Sequence, residues 1–448
     1  MTIIACATGT HANSALAVIR LSGFGRLSDF QPLFSRSLAP LKARHMYRSD
    51  LLSRDTVLDD VCLCYFEGPA SFTGENVLEL YVHGNLLNIN RIIDLFCELP
   101  SVRPARPGEF TRRALQNKKI TLAQAEGLDL FLNAATPLAL TQGLDLLHGE
   151  LHQSYLRLYE TFLRHKVSLE LLLDFHDDVG ESEAKSQLHA TWSSYFGELD
   201  SLFRRISPQS SRLLRPEIVL AGLPNAGKST LFNSILGERR AIVSSLPGTT
   251  RDYIAEDVLL HGVNYRLLDT AGIRNASDEV EEEGIGFSLA RLNKAFFRLL
   301  VVNPFAPIGA NFSEFTTLGF DGIFWTHNDL PGASEAISRS SQELLVLWGQ
   351  SFDNHCCYND LPALYDAINK KYLQLTSSNP LLLDRHKEVI SSIYRVATGY
   401  AHTLLNESDI GILSHELNAL AHCHQELLGI ISPDEVLDHL FANFCIGK

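Results

Sequence analysis

Basic residues are in deficit: 38 Lys+Arg stand against 52 Asp+Glu, a formal charge of −14 at pH 7. That excludes a generally basic nucleic-acid coat but leaves room for a local basic site. The 8 cysteines form no paired C-x-x-C sets of the zinc type. No apolar run is long enough to span a bilayer, and no secretory n-region and h-region opens the chain, so no stable membrane insertion and a reduced, cytoplasmic setting are expected. Hydrophobic residues make up 45% of the 448 positions, enough for sizeable cores. A chain of this length is expected to hold two to four domains.

The strongest pattern is Gly222-Leu223-Pro224-Asn225-Ala226-Gly227-Lys228-Ser229, which fits the phosphate-binding loop G-x-x-x-x-G-K-[ST]. Glu217–Ala221 before it reads as a buried strand. Thr230–Leu236 after it reads as a helix ended by Gly237. In such a loop, backbone N–H groups and the helix N-terminus cradle phosphate oxygens. Lys228 would reach the β/γ-phosphates, and the Ser229 hydroxyl would hold Mg²⁺.

Residues 1–120 alternate short apolar runs with turns, and strands are expected near Ile3–Ala7, Ala15–Leu21, Val61–Phe66 and Val77–Val82, with a helix over Ile89–Leu99. Arg20 and Glu79 are charges inside strand-like runs, which by themselves read as solvent-facing positions. Cys62 and Cys64 share a strand face and read as core packing. Residues 121–213 turn helical: Thr121 is a good N-cap, Leu138–Leu173 carries helical spacing with few breakers, and a shorter helix is expected over Lys185–Ile206. Asp174-Phe175-His176-Asp177-Asp178 reads as a solvated helix end rather than a metal cluster.

Residues 214–376 read as a nucleotide domain entered at Pro216. Thr250, within Pro247-Gly248-Thr249-Thr250-Arg251-Asp252, is placed as a first-switch threonine that completes the Mg²⁺ shell. Asp269-Thr270-Ala271-Gly272 ends a strand as D-x-x-G. Ile273 stands where a Ras-like protein orients water with glutamine, and no arginine finger is evident, so another group must serve. The acidic stretch Asp278–Glu283 could supply it, although such a run reads equally as a solvated surface. The guanine motif is reduced to Thr326-His327-Asn328-Asp329, with His327 where lysine is usual. The S-A-K-like loop should follow Leu344–Leu347, where Trp348-Gly349-Gln350 stands. Residues 377–448 are helical again, with a helix start at Ser432-Pro433-Asp434-Glu435. The nucleotide domain is thus an insertion between two halves of one bundle. The tail Phe444-Cys445-Ile446-Gly447-Lys448 reads as frayed and does not fit a prenylation signal.

Ser71-Phe72-Thr73-Gly74-Glu75, Arg106-Pro107-Gly108-Glu109-Phe110-Thr111, Leu122-Ala123-Gln124-Ala125-Glu126 and the terminal Cys-Ile-Gly-Lys carry a resemblance over nearly the full length. The chain resembles the bacterial tRNA-modification GTPase MnmE (TrmE) family. That resemblance implies a multidomain α/β fold: an N-terminal α+β folate-binding and dimerisation domain (1–120), a discontinuous helical bundle (121–213 and 377–448) and an inserted Ras-like P-loop GTPase domain (214–376). It implies a homodimer that works with the FAD- and NADH-using partner MnmG, in a heterotetramer or larger assembly, to modify tRNA. The reaction adds a carboxymethylaminomethyl or aminomethyl group at C5 of the wobble uridine. The one-carbon unit comes from a tetrahydrofolate derivative, 5-formyl- or methylene-tetrahydrofolate. Folate contacts fall by motif match on Arg20, Glu79, Lys119 and Lys448.

In the family, K⁺ stands in for the arginine finger. Its ligands match Asn225, Ser244, Leu246 and Thr249, and the water-orienting glutamate matches Glu281. The implied catalytic set is Glu281, Asn225, Lys228 and Thr250, with Mg²⁺ on Ser229 and Thr250. The nucleotide set is Asn225, Ala226, Gly227, Lys228, Ser229, Thr230, Ser244, Ser245, Leu246, Pro247, Gly248, Thr249, Thr250, Asp269, Thr270, Ala271, Gly272 and Asp329. Cys445 has been considered as a thiol catalyst in the family, and here it reads as a tail cysteine near the folate pocket. Three departures stand out. Thr8–Ser14 replaces a Pro/Gly-rich loop, Asn303 replaces an aspartate, and the guanine motif is eroded, so weaker or less selective GTP binding is expected. Two other readings share the nucleotide motifs: a GTPase switch in ribosome or RNA assembly, and a degenerate paralogue that no longer cycles GTP.

Overall fold

A computed structural model describes residues 1–8, 13–39, 41–54, 56–174, 181–239, 254–269, 291–307, 319–348, 355–405, 410–430, 434–442, 444 and 447. It divides into two units. One is Met1–Asp129 with Gly143–Glu160 and Asn418–Lys448; the other is Leu130–Gln142 with Thr161–Leu417.

The first unit is built on a sheet of β1 (Thr2–Cys6), β2 (Leu16–Ser22), β3 (Met46–Ser53), β4 (Thr56–Phe66), β5 (Val77–His83) and β6 (Val102–Pro104), in the order β3-β4-β5-β2-β1-β6. Strand alternation sends Ile19, Leu21, Leu78 and Leu80 to one face, where they pack with Ile89, Ile92 and Phe96. Those three belong to helix α1 (Leu86–Cys97), capped by the Asn85 side chain, which accepts from the Leu87 and Asn88 N–H groups. Arg20 and Glu79 take the other face, directly opposite each other across β2 and β5. Phe110 of α2 (Glu109–Gln116) packs on that side with Ile3 and Ala5. Helix α3 (Leu122–Leu132) starts with a reciprocal capping box: Thr121 Oγ1 accepts from the Gln124 N–H at 3.2 Å, and Gln124 Oε1 accepts from the Thr121 N–H at 2.9 Å.

The helical stretch after it is two helices, α4 (Pro137–His148) and α5 (Glu150–Asp174), separated at Gly149. Helix α6 (Glu181–Phe203) follows. The proposed solvated end at 175–178 lies outside the described residues. At its two described positions, 444 and 447, the tail departs from the frayed reading. Phe444 is buried, and Gly447 lies so close to β1 that a Cβ would sit 2.3 Å from the Cys6 carbonyl oxygen.

The second unit carries a sheet of β7 (Glu217–Ala221), β8 (Ile254–Leu260), β9 (Val263–Asp269), β10 (Phe297–Val302), β11 (Gly322–Trp325) and β12 (His355–Cys357), in the order β12-β11-β10-β7-β9-β8. All neighbours are parallel except β8 with β9. The order reverses at β7, so its carboxyl end is the crevice where such sheets bind ligands. Helix α7 (Lys228–Arg239) leaves that point and runs through Gly237, which does not end it. Leu344–Leu347 is no strand but part of α8 (Ala333–Trp348), because Ala336, Ser340 and Leu344 recur at helical spacing as its buried side. The last strand comes later, as β12, and leads through Tyr358–Asp360 into α9 (Leu361–Thr376). Helices α10 (Asp384–Leu405), α11 (Ile410–Leu427) and α12 (Asp434–Ala442) complete the described chain.

Within the second unit, His165 of α5 is fully buried, with Nε2 2.7 Å from the Tyr400 hydroxyl of α10 and Nδ1 3.0 Å from the Thr191 hydroxyl of α6. Burial holds its pKa down to about 4 from 6.5. The unfolded chain therefore takes up this proton first as pH falls. The contribution of this group is constant above about pH 6.5 and declines toward pH 4, by about 3 kcal/mol when complete. Urea unfolding at pH 7 and pH 5 should show the loss, and His165→Gln should make it shallower. An unchanged slope in that variant would refute the assignment.

Candidate functional site

The phosphate loop sits between β7 and α7 because its glycines permit a path that other residues resist. Gly222 has φ 150°, Gly227 φ 93°, and Asn225 itself adopts φ 59°. At Gly227 a Cβ would lie 2.9 Å from the Thr326 methyl. The Lys228 side chain is buried, and its ammonium donates to the carbonyls of Gly222 and Leu223, both at 2.9 Å. The Ser229 hydroxyl donates to Asp269 Oδ2 at 2.7 Å. Asp269 is 1% exposed at the end of β9, the neighbour of β7, so the sheet itself brings the D-x-x-G aspartate to the loop. Two oxygen donors side by side at the mouth of a lysine-bearing loop suit a hard divalent cation. Ala226 is buried, while Asn225, Ser229 and Thr230 are exposed at the loop and first turn.

The segment expected to recognise the base starts at Thr326. Its hydroxyl donates to the Ala226 carbonyl at 2.8 Å and lies 3.2 Å from the Val302 carbonyl, tying the end of β11 to the phosphate loop. His327 adopts φ 54° and turns Nδ1 to the Thr326 hydroxyl at 3.0 Å. Asp329 is exposed two residues on. Tyr358, after β12, places its hydroxyl 3.5 Å from the Gly227 carbonyl and packs edge-on against Phe324. Thr326 as a tether and Tyr358 as a neighbour of the loop were not marked in the sequence. Thr326 could have been found from its place as first residue of the guanine motif; Tyr358 carried no local signal, because the strand that leads into it, His355–Cys357, is only three residues long. Ser244, Ser245, Leu246, Pro247, Gly248, Thr249, Thr250, Thr270, Ala271, Gly272 and Glu281 lie outside the described residues.

On the N-terminal sheet, Arg20 and Glu79 are not solvent-facing but paired. Arg20 Nε donates to Glu79 Oε1 at 2.8 Å, with both side chains largely buried. The guanidinium lies 5.8 Å from the ring centres of Phe72 and of Phe110. The Tyr81 hydroxyl donates to the other Glu79 oxygen at 3.1 Å. Its position, two residues on along one strand face, was the overlooked signal. The Ser71–Glu75 turn is held by Ser22, whose hydroxyl contacts Thr73 Oγ1 at 2.7 Å and Glu75 Oε2 at 2.8 Å, and by Asn117 donating to the Thr73 carbonyl at 2.7 Å. That turn sets Phe72 against Arg20 and Gly74 beside Lys119, whose aliphatic stem passes about 3.2 Å from where a Gly74 Cβ would stand. Cys64 is buried opposite Glu79 in the β4–β5 register. Lys448 and Cys445 lie outside the described residues.

Residues 2–119 match the family described as GTP-binding protein TrmE N-terminus, and residues 217–320 match that described as 50S ribosome-binding GTPase. The second description covers the nucleotide domain alone. Over the whole chain, the tRNA modification GTPase MnmE of Xylella fastidiosa (strain Temecula1) is 31% identical across 451 residues, covering 100% of this chain and 98% of that protein. The chain belongs to the MnmE family. It is a GTPase acting in tRNA modification. Another MnmE, from Syntrophotalea carbinolica, is 30% identical across 461 residues, covering 100% of this chain and 99% of that protein. MnmE membership accounts for the N-terminal unit, which a ribosome-assembly switch would not need. Among solved structures, the G domain of the T. maritima FeoB iron transporter aligns at 21% identity and a TM-score of 0.26, over 35% of this chain and 99% of that one.

Proposed function

We propose that this MnmE-family chain hydrolyses GTP in a K⁺-dependent manner and, with MnmG, modifies C5 of the wobble uridine using a tetrahydrofolate one-carbon unit. The observation that carries the nucleotide half is the Ser229–Asp269 contact at 2.7 Å beside the buried Lys228 ammonium. Ser229 and Asp269, with Thr250, offer the oxygen set for Mg²⁺, which when bound neutralises charge developing on the phosphates. Asn225, exposed on the loop, offers a side-chain oxygen to K⁺, together with Ser244, Leu246 and Thr249, and Glu281 is assigned to the attacking water. Lys228 draws the phosphate oxygens into the loop, and the α7 N-terminus adds its dipole.

The folate half rests on the Arg20–Glu79 pair, held by Tyr81 and roofed by two phenyl rings. A carboxylate fixed by an arginine can accept from a pterin's amino and ring N–H groups, while Lys119 and Lys448 suit the glutamate carboxylates of folate. Dimerisation through the N-terminal unit belongs to the same reading.

GTP turnover measured in K⁺ and in Na⁺ at equal ionic strength tests this. Turnover is expected to be higher in K⁺ by at least about tenfold, the scale of one well-placed charge in a desolvated site. Equal rates in the two salts would remove the K⁺ assignment, and no turnover in either would favour the degenerate-paralogue reading that His327 suggests. ATP as competitor reads the guanine selectivity left to Asp329.

A further inference from the structure

Between Asp29 and Asp50, the latter itself exposed on β3, the chain has four cationic residues, Arg36, Lys42, Arg44 and Arg48, and no carboxylate, although the protein as a whole carries −14. Arg36, Lys42, Arg44, His45 and Arg48 are all exposed, on β3 and the segment leading into it. β3 is the end strand of its sheet. The cations are interleaved with rings. The Arg36 guanidinium lies 5.0 Å from the Tyr47 ring centre, and His45 stacks alongside Tyr47 at 6.5 Å between centroids with 30° between planes. The Tyr47 hydroxyl accepts from the Lys42 N–H at 3.1 Å, so the ring is fixed by the backbone that presents the lysine. Arg44 adopts φ 63° and donates to the Ala70 carbonyl at 2.8 Å, which holds its side chain across the surface. Among the described residues, Arg48 is the one of the four with an ion pair, to Asp60.

We propose that this edge is an RNA-docking surface, with Arg36, Lys42 and Arg44 on phosphates and the His45–Tyr47 pair as a platform for an unstacked base. Charge on an edge strand commonly serves to discourage strand pairing. A guard of that kind needs no aromatic partners, whereas single-stranded nucleic acid recognition combines cations with rings. An acidic protein that acts on tRNA must concentrate its cations somewhere, or repel its substrate. A cleft of about 770 Å³ beside α2 also gathers arginines, Arg106 among them, but most of them are paired. Arg103 and Arg113 are there bonded to Glu109 and Glu75, and Arg112 to Asp438.

The proposal rests on the chain's own contact with tRNA, and one experiment separates the two. Binding of an unmodified tRNA transcript to the full-length protein is measured by fluorescence anisotropy over a salt series, for wild type and for the triple variant Arg36→Ala/Lys42→Ala/Arg44→Ala. The variant is expected to bind at least about tenfold more weakly, with the slope of log K against log salt reduced by about 2–3. His45→Ala is expected to lower affinity without changing that slope. GTP turnover without tRNA and the thermal midpoint should be unchanged in all variants, which excludes misfolding. Equal affinity and slope in wild type and triple variant overturn the docking surface. Loss of self-association in the variant, with tRNA affinity intact, overturns it in favour of a contact between copies. Failure of the wild type to bind tRNA at all overturns direct recognition itself.

Discussion

Lys228→Ala is expected to lower GTP turnover by about 10²–10³-fold, the range that one positioned donor contributes to a transition state, with little change in the thermal midpoint. An ammonium has three donors. Those of Lys228 reach the carbonyls of Gly222 and Leu223, which fixes its positive charge in the loop that faces the phosphates. The alanine variant loses that charge but keeps the loop path, since the glycines, Thr326 and the Ser229–Asp269 contact do not depend on it. Phosphate release gives the rate, and thermal shift with and without GTP gives the binding. Nucleotide stabilises the wild type by mass action, and that shift should shrink in the variant. Retained turnover would place catalysis somewhere other than this loop.

Gly222→Ala is expected to act in the opposite way, through structure first. Its Cβ would stand 2.2 Å from the Val301 carbonyl oxygen, a backbone atom of β10 that cannot swing aside, at a φ of 150° that side chains avoid. Strain of that backbone and the clash together cost about 2–4 kcal/mol. The midpoint should therefore fall, and nucleotide affinity should fall with it as the loop is displaced from β10. Gly237→Ala is the control. It lies inside α7 with nothing within 4 Å of its Cβ, so it should be neutral or stabilising by up to about 1 kcal/mol, the ordinary helix preference for alanine. A Gly222 variant as stable as wild type would contradict the close approach of the loop to β10.

The same pair of glycines shows how far a local pattern reaches. The phosphate loop and the strand before it were legible because both depend on neighbours in sequence: a short apolar run, then glycines at fixed offsets. The capping box at Thr121 and Gln124 was half legible for the same reason, the Thr121 cap having been read without its reciprocal Gln124 partner. Gly237 misled, since a glycine at the right distance suggests a helix end although the helix needs only its buried face to continue. Leu344–Leu347, after which the S-A-K-like loop was expected, is likewise helix. Four apolar residues in a row cannot be told apart as strand or helix by period alone, and Ala336, Ser340 and Leu344 along one side of α8 decided it.

The charged residues of the N-terminal sheet divide the question most clearly. Arg20 and Glu79 stand 59 residues apart, and each alone is a charge in a strand, which local pattern places in water. Only the antiparallel register of β2 and β5 sets them opposite each other, and Phe72 and Phe110 lie over the guanidinium. Asp269 reaches Ser229 by the same kind of long connection, through the parallel pairing of β7 and β9. Residue types and short-range spacing thus carried the chemistry, the strands, the caps and the family. Which charge meets which was settled by strand pairing, because a pairwise electrostatic contact depends on distance in space and desolvation, and neither is written in the interval between two residues along the chain.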